Sequence, residues 1–236
     1  MLVAIINHAL TRHALELKRA FSPHARTIAI DSGSLLTTDE YPQFDVALPN
    51  VYYSGLLNAV AEQSAGLDAA DPVYICCSDV TVGDPARAIA LVREAFSDRR
   101  IGTYAPSAHH SDHRQMACER TGRLRVVTFV DGFCFATRAG LLRQLCPIDL
   151  QQNLRGWGLE VQLGYLTRRA GQRTVVDDRI EVQHPRSTGY CRREAWRERG
   201  AWQARLSSRP RLFHRLARRK VNKHPLTMRL LLALPW

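Results

Sequence analysis

Long apolar runs are absent: no apolar stretch of about 18 residues occurs in the 236 positions, so the chain is expected not to span a membrane. The opening Met1-Leu-Val-Ala-Ile-Ile-Asn7 is apolar, but no basic region precedes it and it is too short for a signal peptide. Glycine-rich nucleotide loops are also missing. Neither Gly-x-Gly-x-x-Gly after the first predicted strand nor a phosphate loop ending in Gly-Lys-Ser/Thr is present, and no Gly-x-Ser-x-Gly nucleophile turn appears. The six cysteines show no repeated two-residue spacing with histidine partners, which argues against a zinc site. Cys76, Cys77 and Cys134 lie inside apolar runs, where free thiols serve as small buried hydrophobes, so a reducing, cytoplasmic setting is expected. No repeat or low-complexity linker divides the chain, whose length suits one substantial α/β core.

The net charge of +11 first suggests a nucleic-acid partner. Its location changes the argument. Residues 192–236 carry 13 Lys/Arg against two acidic residues, which leaves 20 of each sign before them. A neutral body with a basic tail argues against a broad nucleic-acid-binding face. We therefore expect a catalytic domain over residues 1–190 and a basic helical extension over 191–236. In the extension, Leu212, Phe213 and Leu216 recur at helical spacing among Arg209, Arg211, Arg215, Arg218, Arg219 and Lys220, and Leu230 to Leu234 form an apolar run. Such a helix suits an anionic membrane surface, at the cytoplasmic face, or packing on the catalytic domain.

The body is organised around Pro72-Val-Tyr-Ile-Cys-Cys-Ser-Asp79-Val-Thr81, an apolar run that ends in a carboxylate and a turn. This reads as a buried strand whose end presents Asp79 at the carboxyl edge of an α/β sheet, where such sheets bind ligands. Asp84-Pro85 is the better cap for the helix that follows, which leaves Asp79 without that duty. Leu2 to Ile6 and Ala25 to Ile30 read as parallel strands joined by a helix over Thr11 to Phe21, and the second runs into Asp31-Ser-Gly-Ser34. Further strands are expected over Phe44 to Leu48 and Ile101 to Ala105. Leu124 to Thr137 reads as one long strand broken at Gly132, and Arg173 to Val176 and Arg179 to His184 as two last strands. Helices are expected over Tyr52 to Ala65, Ala86 to Phe96, Ala139 to Leu145 and Val161 to Arg169. His109, His110 and His113 read as part of a solvated loop over the active edge.

Asp31, Asp79, Glu160 and His184 all fall at the ends of predicted strands or the starts of predicted helices. Together they suggest an acidic cleft that needs a cation. One divalent ion bridging a diphosphate to Asp79 and His184 would neutralise a departing phosphate, which leaves Glu160 free to act as a base. In Gly156-Trp157-Gly158 the glycines permit a tight turn that presents the broad face of Trp157 to a ligand, and they place Glu160 in the first turn of a helix, where the dipole favours its ionised form.

The ordered set Asp31-Ser-Gly-Ser34, Tyr53-Ser-Gly-Leu-Leu-Asn58, Val73 to Val80, Val130-Asp-Gly-Phe-Cys-Phe135, Gly156-Trp-Gly-Leu-Glu160 and His184 resembles the family 2 glycosyltransferases. The resemblance covers residues 1–190 and implies a GT-A fold, with a mostly parallel central sheet flanked by helices. It implies that Asp31 holds the nucleotide base or ribose and that Asn58 lies near the donor pocket. Asp79 would stand at the last aspartate of the Asp-x-Asp element that carries Mn²⁺ or Mg²⁺ and the donor diphosphate, with Cys77 in place of the first. Glu160 would deprotonate the acceptor hydroxyl, and His184 would complete the metal site. The implied reaction moves a sugar from a nucleotide diphosphate sugar to a glycan or lipid-linked acceptor, with inversion, in polysaccharide synthesis. A metal-dependent nucleotidyltransferase is the competing enzyme. It needs a basic residue near the α-phosphate and usually two close carboxylates on the metal, and neither is evident in the core.

Overall fold

Strand Leu2–Asn7 (β1) is buried at every position, as an unbroken apolar run must be when helices cover both faces of a sheet. A computed structural model describes residues 1–111, 113–185 and 191–220, with side chains to Ala217 in the last helix. Strands Arg26–Ser32 (β2), Val46–Leu48 (β3) and Pro72–Cys77 (β4) join β1 in parallel, in the order β3-β2-β1-β4. Helices Thr11–Phe21 (α1) and Tyr52–Gln63 (α2) occupy the β1–β2 and β3–β4 connections. Helix Pro85–Ser97 (α3) follows β4 and is capped as expected, with the Asp84 carboxylate accepting the Arg87 N–H.

The other half of the sheet departs from the sequence reading. Ile101–Ala108 (β5), Leu124–Val127 (β6), Cys134–Arg138 (β7) and Arg173–Val182 (β8) extend the order as β4-β7-β5-β8-β6. The β4–β7, β5–β7 and β6–β8 pairs are antiparallel, and only β5–β8 is parallel. The sheet is therefore mixed. The expected long strand over Leu124 to Thr137 is two strands, with β5 and β8 between them. The residues joining them pass beneath helix Leu159–Arg169 (α5), where a Cβ on Gly164 would lie 2.8 Å from Phe129 Cβ. β8 is one strand where two were expected. The buried Asp177 binds the backbone N–H and the guanidinium of Arg179, so the chain bulges and resumes its pairing with β5.

Helix Ala139–Leu145 (α4) follows β7. The two last helices, Arg192–Arg205 (α6) and Ser208–Lys220 (α7), lie against the sheet domain. The buried positions of α7 are Pro210, Phe213, His214 and Ala217, spaced as one helical face. That face differs from the Leu212, Phe213 and Leu216 set read from the sequence. Leu212 is 46% exposed, and a buried His214 takes the place expected for an apolar residue. Phe213 meets Tyr165 of α5 with ring centres 5.7 Å apart. Leu230 to Leu234 lie outside the described residues.

Candidate functional site

At the carboxyl edge, the backbone turns after β4 through a Val80 N–H to Cys77 carbonyl bond of 3.1 Å, while the Ser78 N–H keeps the sheet ladder by donating to Ile6. The turn lifts Asp79 above the edge. Thr81 and Gln183 then exchange both backbone hydrogen bonds, at 2.9 and 3.1 Å, which brings the chain beyond β8 alongside the turn. His184 Nε2 thereby lies 3.3 Å from Asp79 Oδ2, and the imidazole is stacked on Phe133 at 4.2 Å and 9°. Asp79 Oδ1 is buried and has no hydrogen-bond partner among the described residues. A buried carboxylate oxygen without a partner is costly, and a cation from solution is the natural ligand for it.

The donor set fits a divalent ion in part. Asp79 and His184 supply one carboxylate and one imidazole, and no group of three His, Cys, Asp or Glu gathers among the described residues. Burial, with the Asp79 charge added, holds the Cys77 thiol well above its ordinary range, so it stays neutral and is a poor ligand. A hard cation here would take most of its oxygens from a bound ligand.

A pair of carboxylates lines a small, mainly apolar cavity. Asp131 and Glu160 stand in its wall with Tyr53, Leu57, Gly132 and Leu163. Glu160 lies in the first turn of α5, and its Oε2 accepts the Gly158 N–H at 2.7 Å. Gly156 and Gly158 have φ of 76° and 98°, the left-handed region that the tight turn requires. Asp131 accepts the Gly132 N–H at 2.9 Å and the Ser111 hydroxyl at 3.0 Å. Tyr53 joins the two loops. Its hydroxyl donates to the Gly132 carbonyl at 2.6 Å, and a Cβ on either Gly132 or Gly156 would lie 2.5 Å from a Tyr53 atom.

The other expected site residues are placed as follows. Asp31 is 1% exposed and accepts from Asn7 Nδ2 at 2.7 Å, the Ser34 N–H at 2.9 Å and Ser34 Oγ at 2.5 Å, so it ties the ends of β1 and β2 at the sheet edge. Asn58 donates to the Ile148 carbonyl at 2.9 Å and accepts its N–H at 2.7 Å. Both ends of that amide are engaged in holding α2 to the Ile148 segment, so the geometry speaks for a structural tie in place of a donor contact. Trp157 stands edge-on to Trp196 of α6, 5.2 Å away. His109 lies 3.8 Å from Glu181, and His113 packs on Phe129, as befits a loop. Tyr53 and Phe133 lie within segments that carry the resemblance but are not singled out by the sequence reading, and Gly132 and Gly156 are the signal that something packs closely there.

Helix α6 packs against the loop that leads into α5. Arg155 pairs with Glu194 and Glu198 of α6 and lies 5.1 Å from the centre of the Tyr52 ring. Burial lowers the pKa of His214 to about 4, with Glu160 opposing the shift. The neutral ring accepts from Gln203 Nε2 at 2.8 Å and donates to Gln162 Oε1 at 3.1 Å.

No family model matches the sequence, and no curated protein matches it. Solved structures do match. GalNAc-T7, solved with UDP, GalNAc and Mn²⁺, aligns over 80% of this chain with a TM-score of 0.58 and 17% identity. The chain has the GT-A fold. It spans 43% of the GalNAc-T7 chain. Glucosyl-3-phosphoglycerate synthase from Mycobacterium tuberculosis, solved with Mg²⁺ and uridine diphosphate, aligns over 88% of this GT-A chain and 80% of its own, with a TM-score of 0.57 and 14% identity. The mannosyltransferase PcManGT from Pyrobaculum calidifontis, in complex with GDP-Man and Mn²⁺, aligns over 91% of this chain and 67% of its own, with a TM-score of 0.56 and 14% identity. Identities this low speak for the fold.

Proposed function

We propose that this GT-A chain transfers a sugar from a nucleoside diphosphate donor to an acceptor hydroxyl, in glycan or envelope polysaccharide synthesis. The observation that carries the reading is the unpartnered Asp79 Oδ1 beside His184 at the carboxyl edge of the sheet. The similar structures were solved with UDP or GDP-Man and with Mn²⁺ or Mg²⁺, which supports the same donor class and metals here. Asp79 and His184 would hold the metal ion, whose charge offsets that of the leaving diphosphate. Phe133 stacks on the His184 ring and fixes its orientation. The β1 and β2 ends around Asp31 form the floor for the nucleotide. Glu160, in the first turn of α5, accepts the acceptor proton as the new bond forms, and the single displacement gives inversion. Trp157 and Trp196 form the apolar wall for the acceptor.

Peripheral contact with an anionic membrane belongs to the same proposal. Arg209, Arg211 and Arg215 are exposed on α7 around Leu212, opposite the docked face. Retention of the full chain by anionic but not neutral liposomes is the result expected, and equal loss from both would end this part of the proposal. The main reading is tested by screening nucleotide sugars for Mn²⁺-dependent hydrolysis or transfer. Turnover of one donor that disappears in Asp79→Ala is expected, and turnover unchanged in that variant would overturn it.

A further inference from the structure

Arg199 of α6 is 6% exposed, and two of its guanidinium nitrogens, Nε and Nη1, are buried with no hydrogen-bond partner among the described residues. A buried guanidinium left in this state is costly, because its lost hydration is not offset by hydrogen bonds. The carboxylates of its own helix are committed elsewhere, since Glu194 and Glu198 both close on Arg155. Arg199 keeps an aromatic face instead: its Cζ lies 4.8 Å from the Trp196 ring centre, and Trp196 meets Trp157 edge-on. Trp196 is 54% exposed, so the ring that lies over Arg199 borders solvent. The stem of Arg199 reaches the loop that bears Glu160. A Cβ on Gly158 would lie 3.5 Å from Arg199 Cγ, and the Gly158 N–H is the one bound by Glu160.

We infer that Arg199 is an oxyanion-binding residue, which takes a phosphate or carboxylate group against the Trp196 and Trp157 wall beside Glu160. A guanidinium presents its donors as a planar fork that matches two oxygens of such a group, and aromatic packing holds the fork in place beforehand. The inference rests on the transferase reading, in which the anion is either a charged group of the acceptor or the donor diphosphate. The wall lies at the Glu160 end of the site, and that position favours the acceptor.

The test is thermal melting of the full chain, without metal, against increasing inorganic phosphate or pyrophosphate. Saturable protection of the wild type is expected, with affinity reduced roughly tenfold or more in Arg199→Met. The methionine variant without phosphate is expected to melt at or above the wild-type temperature, because the unpaired charge is gone while the apolar stem remains. Arg199→Gln gives a second reading should the methionine variant not fold. Titration with a nucleoside diphosphate and Mn²⁺ then separates the sources. Unchanged affinity in Arg199→Met assigns the anion to the acceptor, and a loss of roughly tenfold assigns it to the donor diphosphate. No phosphate protection of the wild type, or equal protection of the variants, overturns the inference. Failure of the transferase reading is distinguishable: nucleoside diphosphate with Mn²⁺ would then bind neither wild type nor Asp79→Ala, whatever phosphate does at Arg199.

Discussion

His184 Nε2 lies 3.3 Å from Asp79 Oδ2 because Thr81 and Gln183 are paired backbone to backbone, so the two side chains are set by the fold and not by their own attraction. That relation makes Asp79→Ala a clean experiment. The substitution removes a buried oxygen that has no partner among the described residues, so the melting temperature of the free protein should hold or rise. The stabilisation by nucleoside diphosphate with Mn²⁺, about 2.7 kcal/mol when ligand is a hundredfold above its dissociation constant, should be lost. Calorimetric titration checks it, and full retention of metal-dependent binding would remove Asp79 from the metal site.

Glu160→Gln separates binding from proton transfer. The glutamine carbonyl can still accept the Gly158 N–H, so the loop should keep its shape. Donor affinity is expected to be near normal while transfer falls by roughly two orders of magnitude or more. Near-normal transfer would move the role of base to Asp131, which shares the cavity. The anomeric configuration of the product, read by NMR, tests inversion separately, and retention of configuration would overturn the single displacement.

The first half of the fold was legible because its strands are uninterrupted apolar runs, each ending in a polar turn, with helices of clear period between them. The same signal led to Asp31, Asp79 and Glu160 at ends of elements. It failed where local pattern and pairing part company. Leu124 to Thr137 is apolar on both sides of Gly132, yet nothing local tells that the two pieces belong on opposite sides of β5 and β8. Asn58 carries a polar group in a helix, a feature shared by ligand contacts and by ties to a neighbouring backbone, and only the tertiary contact with Ile148 separates them. The docked face of α7 was misread because His214 is buried neutral between two glutamines, while the sequence rule counts histidine as polar.

Tyr53 sets the separation of the two carboxylate loops, and its contact with Gly132 can be altered from either side. Tyr53→Phe deletes the hydrogen bond to Gly132 but keeps the ring against Gly156, so a loss of about 1 kcal/mol in stability is expected. Gly132→Ala puts a methyl group where the Tyr53 hydroxyl stands and must displace it. Transfer should therefore fall more in Gly132→Ala than in Tyr53→Phe, with donor affinity held in both. Equal activity in all three proteins would show that the spacing of these loops does not matter to the reaction.

The docking of α7 on α5 gives the stability of this chain a specific dependence on pH. His214 has a folded pKa of about 4 against an ordinary 6.5, with burial as the main cause. Between these values the unfolded chain takes up a proton that the folded protein refuses, so stability is full above about 6.5 and falls as the pH drops toward 4. The slope approaches about 1.4 kcal/mol per pH unit within that window. Protonation would force a second N–H onto Nδ1, where Gln203 already donates, and α7 would be pushed off the Gln162 face of α5. His214→Gln cannot titrate, so its melting temperature should be lower than that of the wild type at pH 8 but vary less between pH 6.5 and 4. A chain ending at Ser207 should lose both the dependence and the burial of Phe213, worth about 2 kcal/mol. Parallel pH profiles for wild type and His214→Gln would show that the docked imidazole is not the titrating group.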